Sequence, residues 1–143
     1  FFYFNILVTA IATYIIEGER VQLVDGEAEV GSVITQAFGN EASADLTGDS
    51  IPDVAFILAQ QPGGTGTFYY IAVARGVAGG GYEGTNALLL GDRIAPQTTE
   101  IRNGTIIVNY ADRRPDEPMT ADPTVGVSRT FRMESGTLKE VTQ

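Results

Sequence analysis

The sequence predicts an all-β fold, mainly antiparallel sheet or sandwich with little helix. Three observations predict it. Short runs rich in β-branched and aromatic residues recur along the 143 residues. The 17 Gly and six Pro supply turn chemistry between those runs. No sustained helical period and no repeat of solenoid length interrupts them. Hydrophobic residues make up 43% of the chain, enough for one domain with a real core.

The first element is the apolar segment Phe1–Ile16, broken only by Asn5, Thr9 and Thr13. It is shorter than the roughly 20 residues that span a bilayer as a helix, and no basic residue precedes it. Its β-branched and aromatic content favours strand. Three readings remain open. The segment is a buried first strand of the domain, an extension that adds as a strand to a neighbouring subunit, or the stub of a type IV pilin-like helix. The pilin reading meets Asn5 where such helices carry Glu. On the second reading residues 1–11 form an extension, residues 12–143 form a single β domain, and Phe1, Phe2, Phe4, Ile6 and Val8 are the assembly residues. Strand addition gains affinity from main-chain hydrogen bonds and specificity from alternate side chains.

Ala12–Ile16 and Val21–Val24 follow as short strands around Gly18, and Asp25-Gly26 marks the next turn. Val33–Phe38 is either a strand or one helical turn. Val54–Gln60 and Thr67–Ala74 flank Pro62-Gly63-Gly64-Thr65-Gly66 and read as a hairpin. Phe68–Ala74 lacks clean alternation, which predicts a central strand covered on both faces. Gly76–Gly84 reads as a Gly-rich connection, and Leu88-Leu89-Leu90 as a further apolar run. Asn103-Gly104 inside Ile101–Val108 is the strongest hairpin signal, because Asn-Gly readily supplies two positive φ angles. Ser135-Gly136 inside Arg132–Leu138 is a weaker one. Ala111–Pro123 reads as a long surface loop.

Composition excludes several chemistries. There is no Cys and no His, hence no disulfide, no zinc-thiolate site and no Ser-His-Asp or Cys-His machinery. A net charge of -9 makes nucleic acid and anionic membrane surfaces poor partners. The catalysis that remains accessible is carboxylate acid–base work, as in a small hydrolase. Gly63-Gly64-Thr65-Gly66-Thr67 lacks the Lys of a phosphate loop and opens a strand rather than a helix.

The most informative stretch is Asp45-Leu46-Thr47-Gly48-Asp49-Ser50-Ile51-Pro52-Asp53. Carboxylates stand at its first, fifth and ninth places and a hydroxyl at its third. That spacing lets one loop wrap a calcium ion through Asp45, Thr47, Asp49, the Ile51 carbonyl and Asp53. Position 56 is Phe and not Glu, so the loop is not an EF-hand. The alternative is an acidic turn whose carboxylates cap backbone N–H groups. Asp92-Arg93 and Asp112-Arg113 are further polar clusters, readable as part of a ligand site or as ion pairs at strand ends.

Five stretches carry a family resemblance: Ala12–Gly18, Asp45–Phe56, Gly63–Tyr70, Leu90–Gln97 and Ile107–Arg113. In this order they resemble a group of uncharacterised bacterial exported domains, often lipoproteins, over about residues 12–141. The acidic loop of that group resembles Asp-Leu-Asn-Gly-Asp-Gly, as in calcium-binding extracellular repeats of the integrin propeller type. This chain departs from it at Thr47 and Ser50, which implies weaker calcium binding. The resemblance implies an extracellular or cell-surface location, with any membrane link made through a lipid anchor or an upstream segment. Together these readings lead to a non-enzymatic structural or assembly subunit that self-associates into a homo-polymer. An exported ligand-binding module is the alternative of a different class.

Overall fold

The computed structural model describes residues 11–141. The proposed assembly residues Phe1, Phe2, Phe4, Ile6 and Val8 lie outside them. Twelve strands account for the regular structure of the described residues. They are β1 (Ala12–Ile16), β2 (Glu19–Leu23), β3 (Glu27–Val30), β4 (Val33–Ala44), β5 (Asp53–Gln61), β6 (Phe68–Gly76), β7 (Tyr82–Gly84), β8 (Leu88–Asp92), β9 (Ala95–Arg102), β10 (Thr105–Asp112), β11 (Val125–Glu134) and β12 (Thr137–Glu140). The fold is all-β, as the turn chemistry and the absence of helical period predict.

The strands form three layers. The middle layer is a six-stranded sheet in the order β3-β4-β5-β6-β7, with β8 sharing the β6 edge with β7. The β1–β2 hairpin covers one face, and the four-stranded sheet β12-β11-β10-β9 covers the other. Alternation along β5 and β6 explains how one sheet serves two cores. Val54, Phe56, Leu58, Tyr70 and Ala72 pack with Ala12, Tyr14, Ile16 and Leu23 of the hairpin. Ala55, Ile57, Ile71 and Val73 pack with Ile106, Val108, Tyr110, Phe131 and Leu138 of the other sheet. A strand buried on both faces has no polar side to alternate with, so its sequence is a continuous apolar run. Within the hairpin-side core, the Tyr14 and Phe56 rings meet edge to face at 5.5 Å.

The turns follow their dipeptides. Asn103 and Gly104 take φ values of 51° and 77°, the two positive angles of a type I′ turn. Glu17 and Gly18 do the same between β1 and β2, at 51° and 82°. Two segments differ from expectation. Val33–Phe38 is a strand and not a helical turn, but it is only the first half of a twelve-residue strand. Bulges around Gly39 interrupt its pairing with β5, which hid the second half from a period-2 reading. Gly76–Gly84 is not wholly a connection, because Tyr82–Gly84 pairs with the end of β6.

Thr85-Asn86, between β7 and β8, ties the three layers together. Ile15 N–H donates to the Thr85 carbonyl, and Ala87 N–H donates to the Ile15 carbonyl. The Thr85 hydroxyl accepts the Val73 N–H of β6. The Asn86 amide bonds both backbone groups of Leu138 on β12, at 3.0 and 2.9 Å. It thereby occupies the outer edge of β12 in place of another strand.

Candidate metal centre

The acidic loop is the connection between β4 and β5. Ala44 pairs with Asp53 at its base, so the first and ninth loop positions flank the end of a ladder. The loop satisfies its own backbone through its carboxylates. One Asp45 oxygen accepts the Thr47 and Gly48 N–H groups at 3.1 and 2.8 Å, and the other accepts Ser50 N–H at 2.8 Å. Asp49 accepts Ile51 N–H at 3.0 Å. These bonds, Ser50 foremost and then Gly48, hold the Asp45 carboxyl below the ordinary aspartate range.

Asp53 is different in kind. It is the first residue of β5 and is 0% exposed. Its two oxygens accept Leu46 N–H at 2.7 Å and Gly76 N–H at 2.9 Å. The second bond joins the loop to the end of β6. Gly76 has to be glycine here, because a Cβ would collide with the Pro52 carbonyl and with Ile51.

One carboxylate oxygen from each of Asp45, Asp49 and Asp53 lies within 4.8 Å of the others. Asp45 and Asp49 are exposed and Asp53 is buried. Among the described residues none of the three forms an ion pair with Arg or Lys; the nearby Arg75 is paired with Glu83 at 3.1 Å. Three like charges at such spacing repel one another without a cation. Capping does not exhaust them either. A carboxylate offers about four lone-pair positions; backbone N–H groups of Thr47, Gly48, Asp49 and Ser50 engage Asp45, whereas the N–H bonds use two positions on Asp53 and one on Asp49. The acidic-turn and ion-site readings are therefore compatible: the N–H groups orient the carboxylates, and free lone pairs remain. The cluster could coordinate a divalent ion. Hard oxygen donors of this type suit calcium or magnesium rather than a soft metal.

Thr47, Asp49 and Ile51 form one wall of a groove of about 580 Å³, with Arg75, Gly76 and Val77 opposite. The cluster is thus reached from solvent on the Asp49 side and closed on the Asp53 side. Ser50, which stands where the resembled loops have Gly, takes a φ of 67°. The loop keeps the left-handed turn and places a β-carbon in it, at a cost of roughly 1 kcal/mol.

The chain matches no family model, no curated protein and no solved structure.

The other polar clusters turn inward on themselves. Asp92 accepts Thr67 N–H at 3.0 Å and pairs with Arg93 at 3.0 Å. Arg113 donates to the carbonyls of Ala121 and Arg93 at 2.7 and 2.9 Å, pinning the loop after β10 to the β8–β9 turn. Asp112 accepts Arg113 N–H at 2.7 Å. Arg129, which sequence reasoning did not single out, grips Glu140 with two bonds of 2.9 and 2.7 Å and also reaches the Leu89 carbonyl and the Tyr110 hydroxyl. Its hydrogen bonds, aided by its charge, hold the Glu140 carboxyl below the ordinary range. The Gly76 N–H was likewise invisible beforehand, because a backbone donor from a distant strand leaves no residue signature.

Proposed function

We propose that this protein is a non-enzymatic structural or assembly subunit of the bacterial cell exterior, extracellular or at the cell surface. Its acidic loop binds a calcium ion as a brace, and it self-associates by strand addition through residues 1–11. The observation that carries the reading is the convergence of Asp45, Asp49 and buried Asp53 within 4.8 Å, with no basic partner among the described residues. Thr47 and the Ile51 carbonyl complete the expected ligand set.

The placement supports a brace rather than a catalyst. Asp53 opens β5, the strand that contributes to both cores, and its side chain bonds the end of β6. An ion on this cluster would link the loop, β5 and β6 into one unit. Outside the cell calcium is abundant enough to occupy a weak site. The resemblance of residues 12–141 to exported bacterial domains points to the same compartment. The closed, paired state of Asp92-Arg93 and Asp112-Arg113 weighs against using them to hold a ligand.

The test is thermal unfolding in 10 mM calcium and in chelator. Extracellular modules of this affinity class dissociate at about 0.1–1 mM, so calcium should add about 1.4–2.7 kcal/mol. For a domain of this size that is a rise in melting temperature of roughly 3–10 °C. An unchanged temperature would remove the brace from the account.

A further inference from the structure

The asparagines of the chain differ in how firmly their amides and the N–H groups that follow them are held. Asn86 is held on both counts: its amide bonds both backbone groups of Leu138, and the Ala87 N–H donates to the Ile15 carbonyl. Asn109 lies within β10, its amide donates to the Thr98 hydroxyl at 2.8 Å, and the bulky Tyr110 follows it. Asn40 is half-buried and is followed by Glu41. Asn103 is held on neither count. It is exposed at the tip of the β9–β10 hairpin, and neither its amide nor the Gly104 N–H makes a hydrogen bond among the described residues. A Cβ on Gly104 would meet nothing within 4 Å, so the turn stands in open solvent. Asn103-Gly104 is also the one Asn-Gly pair in the sequence.

We propose that Asn103 is a self-modifying site, converted without an enzyme to aspartate and isoaspartate. The Gly104 backbone nitrogen attacks the Asn103 side-chain carbonyl carbon. A new N–Cγ bond forms, the Cγ–Nδ2 bond breaks, and ammonia leaves with the proton of the Gly104 N–H. Water then adds to either carbonyl of the five-membered imide and breaks its bond to that nitrogen. Opening on one side gives aspartate. Opening on the other gives isoaspartate, with the backbone routed through the former side chain. Glycine in second place matters because the attacking nitrogen then carries no neighbouring side chain to shield it. Water is the one co-reactant, and the reaction needs neither a bound ion nor a second copy.

The two products act differently on the fold. Asp25-Gly26 already turns β2 into β3 with φ values of 55° and 77°, matching the 51° and 77° of Asn103-Gly104. Aspartate at position 103 therefore keeps the type I′ turn and adds one negative charge to a chain at -9. Isoaspartate lengthens the two-residue loop by one backbone carbon. Loop length sets hairpin register, so the longer loop strains the pairing of Thr105 with Arg102 and of Ile106 with Ile101. Ile106 is fully buried, so the strain reaches the core between the two larger sheets.

Peptide mapping by tandem mass spectrometry tests this on the full chain, aged at mildly alkaline pH and then digested in acid. Each event replaces NH2 by OH and raises the mass by about one dalton. Asn103 should convert at least about tenfold faster than Asn40, Asn86 or Asn109, since a hairpin tip opens far more often than a bonded ladder. Equal rates at the four positions, or conversion of Asn103 in denaturant alone, would overturn the proposal. Chromatography of the aged protein then separates the two products for thermal unfolding. The isoaspartate form should melt at least about 3 °C below the parent chain, and Asn103→Asp should melt with the parent. An isoaspartate form that melts with the parent would refute the effect on register and leave the modification site standing.

Discussion

Two dense polar clusters stand out in the chain, the acidic loop 45–53 and the Asp92-Arg93/Asp112-Arg113 group, and the structure treats them in opposite ways. In the second cluster each charge meets an opposite charge, an N–H group or a carbonyl, and the bonds close on themselves. In the first, the three carboxylates accept from N–H groups, and none of them forms an ion pair with Arg or Lys among the described residues. Polar density in a sequence therefore does not mark a site. Convergence of like charge without an internal counter-charge is the stronger mark, and it depends on distances that a sequence does not contain.

Within the acidic loop, Asp53→Ala should have the largest effect. It strips acceptors from the Leu46 and Gly76 N–H groups and should cost about 2–6 kcal/mol in chelator, read by denaturant unfolding. A cost below 1 kcal/mol would mean that Asp53 is not the anchor of the loop. In the closed cluster, Arg113→Ala should cost about 1–3 kcal/mol, because two carbonyls lose a charged donor. That loss should be the same with and without calcium, which separates a structural clamp from an ion-linked one. The smallest effect tests the departure at position 50. Ser50→Gly relieves the left-handed backbone at φ 67° and should stabilise by about 0.5–1 kcal/mol in the same unfolding experiment. A destabilised variant would show that the Ser50 side chain does more for the loop than its backbone strain takes away.

The contrast also shows how much was legible beforehand. The all-β class was legible because Asn103-Gly104, Glu17-Gly18 and the apolar runs of β5 and β6 are local signals. The double-sided burial of β6 was legible because a strand with two dry faces cannot alternate. The second half of β4 was not, since its bulges break the period on which such readings depend. In the acidic loop, the spacing of Asp45, Asp49 and Asp53 predicted their convergence. It did not reveal that Asp53 would be fully buried and bonded to Gly76, a partner 23 residues away. The Thr85-Asn86 tie between layers was missed for the same reason: one side chain mimicking a strand edge has no pattern of its own.

The account rests on the three converging carboxylates of the acidic loop, and calorimetric titration of calcium into the purified protein and into Asp49→Asn tests it most directly. Asn keeps the side-chain oxygen that accepts Ile51 N–H and removes one of three converging charges. The account predicts one site on the parent chain with a dissociation constant of about 0.1–1 mM, weakened at least tenfold by the substitution. No binding to the parent chain, or equal binding to both proteins, would contradict it.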